Sequence, residues 1–174
     1  MNKRRAFIVG LKSTSLSKKE IIFLKTYKPW GIILFTRNIK DINQTNKLTK
    51  KIRKIFDDKK YPILIDQEGG RVSRLEKILT FKNLDANFFG KIYYKDKFRF
   101  KIFYKLFIDK TSNLLKQMGI NINSVPVLDL KIKGSSNIIG DRSYSKNPTI
   151  VSKLGDFCIK NFHDNSIGTI IKHI

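Results

Sequence analysis

The sequence predicts an α/β fold in which helices cover a parallel sheet. Short apolar runs rich in β-forming residues alternate with segments whose apolar positions recur at helical spacing. The third of these runs, PILI at residues 62–65, contains no polar residue, as expected for a strand that is covered on both faces. Repeated strand–helix units of this kind favour parallel strands joined by right-handed crossovers.

The first half of the chain predicts two strand–helix units followed by a third strand. The three strands are predicted at residues 6–11, 31–35 and 62–65. The first helix begins after Ser17, whose side chain can cap the helix while Glu20 reaches back to the cap. Asp41 followed by Gln44 repeats this capping pattern ahead of a second helix.

The second half of the chain begins with a long connection and then predicts a third helix. This helix covers about residues 98–118 and ends at Gly119. Residues 122–130 predict the fourth strand, although Pro126 lacks the N–H group that a central strand donates.

The last unit is predicted from a proline and a short apolar run. Asn147 before Pro148 predicts a helix cap and a first helical turn, and residues 168–171 predict the fifth strand. The strand starts then lie near residues 6, 31, 62, 122 and 168. A (β/α)₈ barrel uses about 31 residues per unit, so the first two intervals fit and the later ones hold extra loop.

The absence of a Gly-rich loop distinguishes between two folds with parallel sheets, the barrel and the dinucleotide-binding sheet. No Gly-rich phosphate-binding loop follows any predicted strand, which counts against a dinucleotide-binding sheet. We therefore predict an incomplete TIM (β/α)₈ barrel with about five βα units present, as a single partial domain over residues 1–174.

The chain carries a large positive charge, with 36 Lys and Arg against 14 Asp and Glu and a net charge of +22. Such a surplus is typical of nucleic-acid binding. Only eight of the 36 basic residues are Arg, and the Lys residues are spread over the whole chain. Base readout relies on Arg, and stacking platforms rely on regularly spaced aromatic residues, which are not seen here. We therefore interpret the charge as compositional bias and expect no nucleic-acid partner.

Cysteine, histidine and hydropathy patterns exclude several other classes. Cys158 is the only cysteine, so a disulfide framework is excluded and a reducing compartment fits. The apolar run behind the basic N-terminus is too short for a signal peptide, and no stretch approaches the ~20 apolar residues of a membrane span. Two histidines and one cysteine far apart form no metal-ligand cluster. We expect a cytoplasmic protein with no membrane partner, no metal and no cofactor.

Polar residues gather directly after the third predicted strand, in the segment IDQEGGRVSRL at residues 65–75. Asp66, Glu68, Arg71 and Arg74 lie where a parallel barrel collects its active-site groups. Carboxylates and guanidinium groups suit sugar hydroxyls because they form short charge-assisted hydrogen bonds. From the residues alone, a capped tight turn with solvated arginines is an equally good interpretation.

Five blocks of the sequence follow one another in an order known from a single family. They are GIILFTRNIKDINQ (31–44), IDQEGGRVSRL (65–75), MGININSVPVLDL (118–130), IIGDRSYS (138–145) and GTIIKHI (168–174). With these blocks the chain resembles the family 3 glycoside hydrolases, especially the bacterial β-N-acetylhexosaminidases. The segment DANFFGKI (85–92) departs from the family pattern, in which a proline is usual there.

The resemblance implies a retaining barrel enzyme that removes terminal N-acetylglucosamine from muropeptides, in peptidoglycan recycling, or from chitin-like oligomers. It also implies that the substrate sugar is contacted by Asp66, Arg74, Arg142, Lys172 and His173. Asp129 ends a predicted strand as well and receives a lower weight.

The family's catalytic groups have no counterpart in this sequence. In the family the nucleophile is a later aspartate, and the resemblance implies that the acid/base group is a histidine beyond the KH segment. We therefore assign no catalytic residue and expect a C-terminally truncated chain whose isolated activity is doubtful. Two alternatives stay open, an inert sugar-binding half-barrel completed by another chain, and a β-glucosidase-type member of the same family.

Overall fold

The computed structural model describes residues 4–132 and 138–173. Within them, five parallel strands form one sheet, β1 (Arg5–Gly10), β2 (Pro29–Leu34), β3 (Ile63–Ile65), β4 (Ile122–Asn123) and β5 (Gly168–Thr169). The strands lie in the sheet in the same order as in the chain. A doubly wound sheet reverses its strand order at a switch point, whereas a (β/α)₈ barrel does not. The predicted α/β fold with five strand units is therefore confirmed.

The helices occupy the connections between the strands. They are α1 (Lys18–Tyr27), α2 (Ile42–Phe56), α3 (Ala86–Lys95), α4 (Lys97–Gln117) and α5 (Pro148–Asp164). In the part of the chain that the structure describes, none of these helices has the length and apolar character needed to cross a membrane. Residues 1–3 of the basic N-terminus and Ile174 of the last sequence block lie outside the described residues.

The two predicted capping patterns differ in outcome. At α1 the Ser17 side chain accepts from the Glu20 N–H, and the Glu20 carboxylate accepts from the Ser17 N–H at 2.9 Å, so the capping box is complete. At α2 the Asp41 side chain accepts from the Gln44 N–H at 2.7 Å. The Gln44 side chain, however, accepts from the Lys40 N–H at 2.8 Å, one residue before the cap. The second predicted capping box is therefore wrong in one of its two bonds, because the Gln44 side chain does not accept from the Asp41 N–H.

The hydrophobic core lies between the sheet and the helices. All three residues of β3 are buried, as predicted for a strand covered on both faces. Ile32 of β2, Ile52 of α2 and Leu154 of α5 are fully buried in the same core. This packing holds the carboxyl ends of the strands in fixed positions.

The fourth strand ends at Asn123, well before its predicted end. The Asn123 side chain accepts from the Gln67 N–H at 2.9 Å and donates to the Gln67 carbonyl at 2.9 Å, so it binds the loop after β3. Pro126 lacks the N–H group needed to continue the ladder. Strand pairing returns only at Val127, which forms an isolated parallel bridge with Lys172. The strand predicted at residues 122–130 is therefore corrected to the two-residue strand β4 and one isolated bridge at Val127.

Helix α3 is not predicted by the sequence analysis. Asp85 caps it, with its side chain accepting from the Phe88 N–H at 2.7 Å. Gly90 lies so close to the Tyr144 backbone that a Cβ atom there would meet the Tyr144 carbonyl oxygen at 1.9 Å. Because of this close approach, α3 packs against the segment that carries Arg142.

Candidate functional site

Polar side chains from three strands meet at the carboxyl edge of the sheet. Asp66 directly follows β3, Ser124 directly follows β4, and Lys172 lies just beyond β5. Because all strands are parallel, their carboxyl ends lie at the same edge, where barrel proteins carry their active sites. The Ser124 hydroxyl lowers the pKa of the Asp66 carboxyl.

Lys172 connects two carboxylates at this edge. Its Nζ lies 2.8 Å from Asp66 Oδ1 and 2.7 Å from Glu68 Oε1. The side chains of Lys172, Asp66 and Glu68 are only 14%, 20% and 8% exposed. Asp66 and Glu68 are therefore paired and shielded, whereas the tight turn with solvated arginines, which the sequence left open, agrees with the positive φ of Gly69 and Gly70 and with the 45% exposure of Arg71.

Arg142 binds Glu68 through two parallel hydrogen bonds. Arg142 Nε donates to Glu68 Oε2 at 2.8 Å, and Nη2 donates to Oε1 at 2.9 Å. Arg142 ends a short 3₁₀ helix, Gly140–Arg142, and its N–H donates to the Ile139 carbonyl at 2.8 Å. Hydrogen bonding to Glu68 is the main reason that the pKa of Arg142 is raised, and burial opposes it. Such bidentate pairs fix the plane of the guanidinium group.

Asp66 stays ionised in this environment. Burial is the largest influence on its pKa and acts to raise it. The hydrogen bond and charge of Lys172, the Ser124 hydroxyl and the charge of Arg74 together outweigh burial, so that the pKa of Asp66 lies below its ordinary value. The carboxylate is therefore a hydrogen-bond acceptor at neutral pH.

Arg74 lies beside the same cluster. Its guanidinium carbon is 5.8 Å from the centre of the Phe35 ring, which follows β2. The Arg74 Nε atom is buried and has no hydrogen-bond partner among the described residues. A buried donor without an acceptor is costly. The positive charge of Arg74 lowers the pKa of Asp66.

His173 pairs with a different carboxylate from its neighbour Lys172. The His173 Nδ1 atom lies 2.8 Å from Asp129 Oδ2, and the His173 backbone N–H donates to the same oxygen at 3.2 Å. Burial acts to raise the pKa of Asp129, and the hydrogen bonds from His173 outweigh it, so this pKa is lowered. An ionised Asp129 requires the proton on Nδ1, which leaves Nε2 directed elsewhere.

Comparison with known proteins identifies the family to which the chain belongs. Residues 8–174 match the family described as the glycosyl hydrolase family 3 N terminal domain. The chain belongs to glycosyl hydrolase family 3. It is 33% identical over 168 residues to a beta-hexosaminidase of Hydrogenovibrio crunogenus, covering 95% of this chain and 46% of that protein. It is 28% identical over 166 residues to a beta-hexosaminidase of Thioalkalivibrio sulfidiphilus, covering 95% of this chain and 47% of that protein.

Solved structures of family 3 proteins have the same fold. NagZ from Neisseria gonorrhoeae in complex with N-trifluoroacetyl-D-glucosamine is 29% identical and superposes with a TM-score of 0.88, covering 98% of this chain and 51% of that chain. A β-N-acetylglucosaminidase of the family from a Paenibacillus species is 28% identical, with a TM-score of 0.81 and coverage of 97% and 31%. This family 3 chain spans about half the length of the curated relatives that it matches.

The structure brings four of the five sequence-predicted residues of this family 3 chain into one cluster. Lys172 contacts Asp66 directly, Arg142 reaches Lys172 through Glu68, and the charge of Arg74 acts on Asp66. The fifth residue, His173, follows Lys172 in the chain and is held by Asp129. Their role in sugar binding stays a prediction.

Sequence reasoning placed Glu68 at this edge of the sheet but left it out of the predicted sugar contacts, and Asp129, which received a lower weight, binds His173. Glu68 stands two residues after Asp66, and this spacing on an extended strand end was the available signal. Arg71, in the same segment, pairs with Asp141 at 2.7 Å and donates to the Ile138 carbonyl, which also accepts from Arg142. Within residues 4–132 and 138–173, no group of three or more His, Cys, Asp or Glu side chains is arranged to hold a metal ion.

Proposed function

We propose that this chain forms the sugar-binding part of a β-N-acetylhexosaminidase, which hydrolyses O-glycosyl bonds with retention of configuration and releases terminal N-acetylglucosamine. The observation that carries the proposal is the shielded cluster of Asp66, Glu68, Arg142 and Lys172 at the carboxyl edge of the sheet. A sugar hydroxyl both donates and accepts hydrogen bonds, so adjacent carboxylate and cationic groups match it. The names of the relatives and the N-trifluoroacetyl-D-glucosamine bound to NagZ support the sugar class.

In this proposal each predicted residue has a defined contact to offer. Ionised Asp66 accepts from sugar hydroxyls, and the guanidinium group of Arg74, whose charge acts on Asp66, donates to a sugar oxygen. Lys172 has three N–H donors, of which two face Asp66 and Glu68, so the third is directed to the ligand. Arg142 offers the Nη1 hydrogen that does not bind the Ile138 carbonyl, and His173 offers Nε2.

The chain supplies binding groups rather than the reacting pair. Retaining hydrolysis requires a carboxylate nucleophile about 5 Å from an acid/base group. Asp66 is paired with Lys172 and Glu68 with Lys172 and Arg142, and the lowered pKa of Asp66 leaves it without a proton to donate at neutral pH. We therefore propose that the nucleophilic aspartate and the acid/base histidine are supplied from outside this chain.

The proposed setting of the reaction is the cytoplasm, on muropeptides from peptidoglycan recycling or on chitin-like oligomers. The single cysteine of the chain, which is buried and free, supports a reducing compartment. The proposed partner is therefore a saccharide that contains N-acetylglucosamine.

A second candidate function is a sugar-binding half-barrel that a separate chain completes. β1 pairs only with β2 and β5 only with β4 within the described residues, so each keeps one unpaired edge. Ile8 of β1 is 42% exposed, which is high for an apolar residue in a barrel strand. A partner that supplies further strand–helix units would cover both edges.

Titration calorimetry with N-acetylglucosamine tests the proposed function. We expect binding heat with the purified chain, loss of this heat in Lys172→Met, and retention in Lys153→Met, an exposed lysine of α5. No release of p-nitrophenol from p-nitrophenyl N-acetylglucosaminide is expected from the chain alone. Equal heats in wild type and Lys172→Met, or none with the folded wild type, would refute the sugar site.

Two further titrations separate the alternatives. Glucose in place of N-acetylglucosamine tests the β-glucosidase-type reading, which requires comparable affinity for both sugars. Repetition in the presence of a C-terminal family 3 half tests the half-barrel, which requires heat only when both chains are present.

A further inference from the structure

We propose that Glu68 is a positioning residue of the sugar site, acting through Arg142 and Lys172 rather than on the sugar itself. This inference rests on the proposed sugar-binding function and extends it to a residue that family resemblance did not assign. Glu68 contacts both cations, and its side chain is the least exposed of the three at 8%.

Glu68 determines which donors the two cations present. It accepts from Arg142 Nε and Nη2 and lies 2.7 Å from Lys172 Nζ. The two parallel bonds fix the guanidinium plane, and Nη1 donates to the Ile138 carbonyl at 3.4 Å, so that one Nη1 hydrogen and the outer Nη2 hydrogen of Arg142 stay available. Asp66 takes a second Lys172 donor and leaves one for the ligand. Glu68 therefore sets the direction of the Arg142 donors and, together with Asp66, the number of Lys172 donors left for the ligand.

The loop beneath Glu68 is rigid enough for this role. The Glu68 N–H donates to the Val72 carbonyl at 3.0 Å, and the Val72 N–H donates to the Gly69 carbonyl at 3.2 Å. Gly69 has φ +95°, and a Cβ atom there would meet the Leu84 carbonyl oxygen at 2.0 Å. Only glycine fits this backbone, which clamps the segment and holds the Glu68 carboxylate in place.

Glu68 also keeps Asp66 available to the sugar. Arg142 and Lys172 are 13% and 14% exposed, so their charges are poorly screened by solvent. Without Glu68, Asp66 is the carboxylate left to neutralise Lys172, and Arg142 is drawn toward it as well. Both cations would then compete with sugar hydroxyls for the Asp66 oxygens.

A double-mutant cycle on N-acetylglucosamine affinity tests the inference. We expect Glu68→Gln to raise Kd about tenfold, and to raise it less in an Arg142→Met background, where only the contact with Lys172 remains. In an Arg74→Met background the full tenfold effect is expected, since Glu68 does not contact Arg74. Glu76→Gln, an exposed carboxylate of the same segment, is the matched control and leaves Kd unchanged.

The outcomes separate this inference from the proposed function. If the folded wild type binds no sugar, the proposed function fails. If the wild type binds and Glu68→Gln binds equally well, or if its effect is tenfold in every background, the positioning role is refuted while the sugar site stands. Circular dichroism confirms folding of each variant, and Glu68→Asp, which keeps the charge and shortens its reach, replaces Glu68→Gln in the same cycle if the latter unfolds.

Discussion

Lys172 Nζ lies 2.8 Å from Asp66 Oδ1, although the two residues are 106 positions apart in the chain. Asp66 follows β3 and Lys172 follows β5, and these strands are separated in the sheet by β4. The contact therefore spans the end of β4 and links polar groups across the carboxyl edge of the sheet. Residues that are far apart in sequence become one site because the strands are parallel and in sequential order.

Removal of the lysine charge should destabilise the fold. In Lys172→Met, Asp66 and Glu68 lose a partner while staying mostly shielded, and an uncompensated buried charge costs several kcal/mol. We expect the free energy of unfolding to fall by about 3 kcal/mol, measured by urea denaturation at neutral pH. Lys153→Met is the control and should change it by less than about 0.5 kcal/mol. Equal stability of both variants would contradict the pairing described above.

Acid stability should depend on Asp66 in a defined direction. Its folded pKa lies below the ordinary value of 3.8, so the unfolded chain binds the proton more readily. The stabilisation is complete above about pH 4 and is lost as the pH falls through the folded pKa. Asp66→Asn should therefore flatten the decline of unfolding free energy below about pH 4.

Asp85 provides an internal control of opposite sign. Burial raises the pKa of Asp85 above its ordinary value, so its ionisation favours the unfolded chain as the pH increases. Asparagine keeps the cap of α3. Asp85→Asn should therefore steepen the rise of unfolding free energy with pH, measured by urea denaturation between about pH 3 and 6. The same change of slope in both variants would refute the assignment of these two pKa shifts.

Gly90 should not tolerate the substitution that usually stabilises a helix. Alanine in place of glycine ordinarily favours a helix by about 1 kcal/mol. In Gly90→Ala the new Cβ atom meets the Tyr144 carbonyl oxygen, and α3 is pushed from the segment that carries Arg142. We expect a loss of about 2–3 kcal/mol in thermal or urea unfolding and weaker sugar binding. Ser152→Ala on the exposed face of α5 is the matched control, and a stabilised Gly90→Ala would show that α3 does not pack there.

The sequence predicts local elements better than long-range contacts. Ser17 and Glu20 predict the start of α1 because capping involves residues three positions apart. The early end of β4 was not predictable, because Asn123 binds Gln67 across the sheet instead of its own neighbours. Helix α3 was missed because Gly90 lowers the helix propensity of its segment. Glycine is required at this position because the helix packs closely against Tyr144, which is distant in the sequence.

The same limit applies to the site. The blocks around Asp66 and Lys172 mark both residues as polar groups at strand ends, and the structure joins them. The sequence also places Glu68 after the third strand, but it does not predict its pairing with two cations from later parts of the chain. A partner in space has no fixed spacing in sequence, so only the folded arrangement reveals it.

Cys158 should be unreactive in the folded chain. Burial raises the pKa of its thiol to about 11, against the hydrogen bonds with Tyr104 and Tyr144 that lower it. At pH 8 only about one thiol in a thousand is then ionised, and the thiolate is the reactive form. We expect iodoacetamide to modify Cys158 only as rapidly as the chain unfolds, with the rate rising steeply across the urea transition. Because Cys158 is the only cysteine, the modification measured is that of this position alone. Rapid modification without urea would contradict the burial of Cys158 in α5.

The unpaired edge of β1 should drive self-association. No strand pairs with the outer side of β1 within the described residues, and Ile8 on this strand is 42% exposed. An open apolar edge is a template for pairing with another chain, and lysine on an edge strand opposes it. Ile8→Lys should therefore lower the concentration-dependent association measured by sedimentation velocity. Ile22→Lys is the matched control. It removes an apolar residue of α1 that is 65% exposed, and therefore more exposed than Ile8, but that does not lie on the edge strand. An equal decrease in both variants would assign the association to general surface hydrophobicity, whereas a decrease in Ile8→Lys alone assigns it to strand pairing at β1.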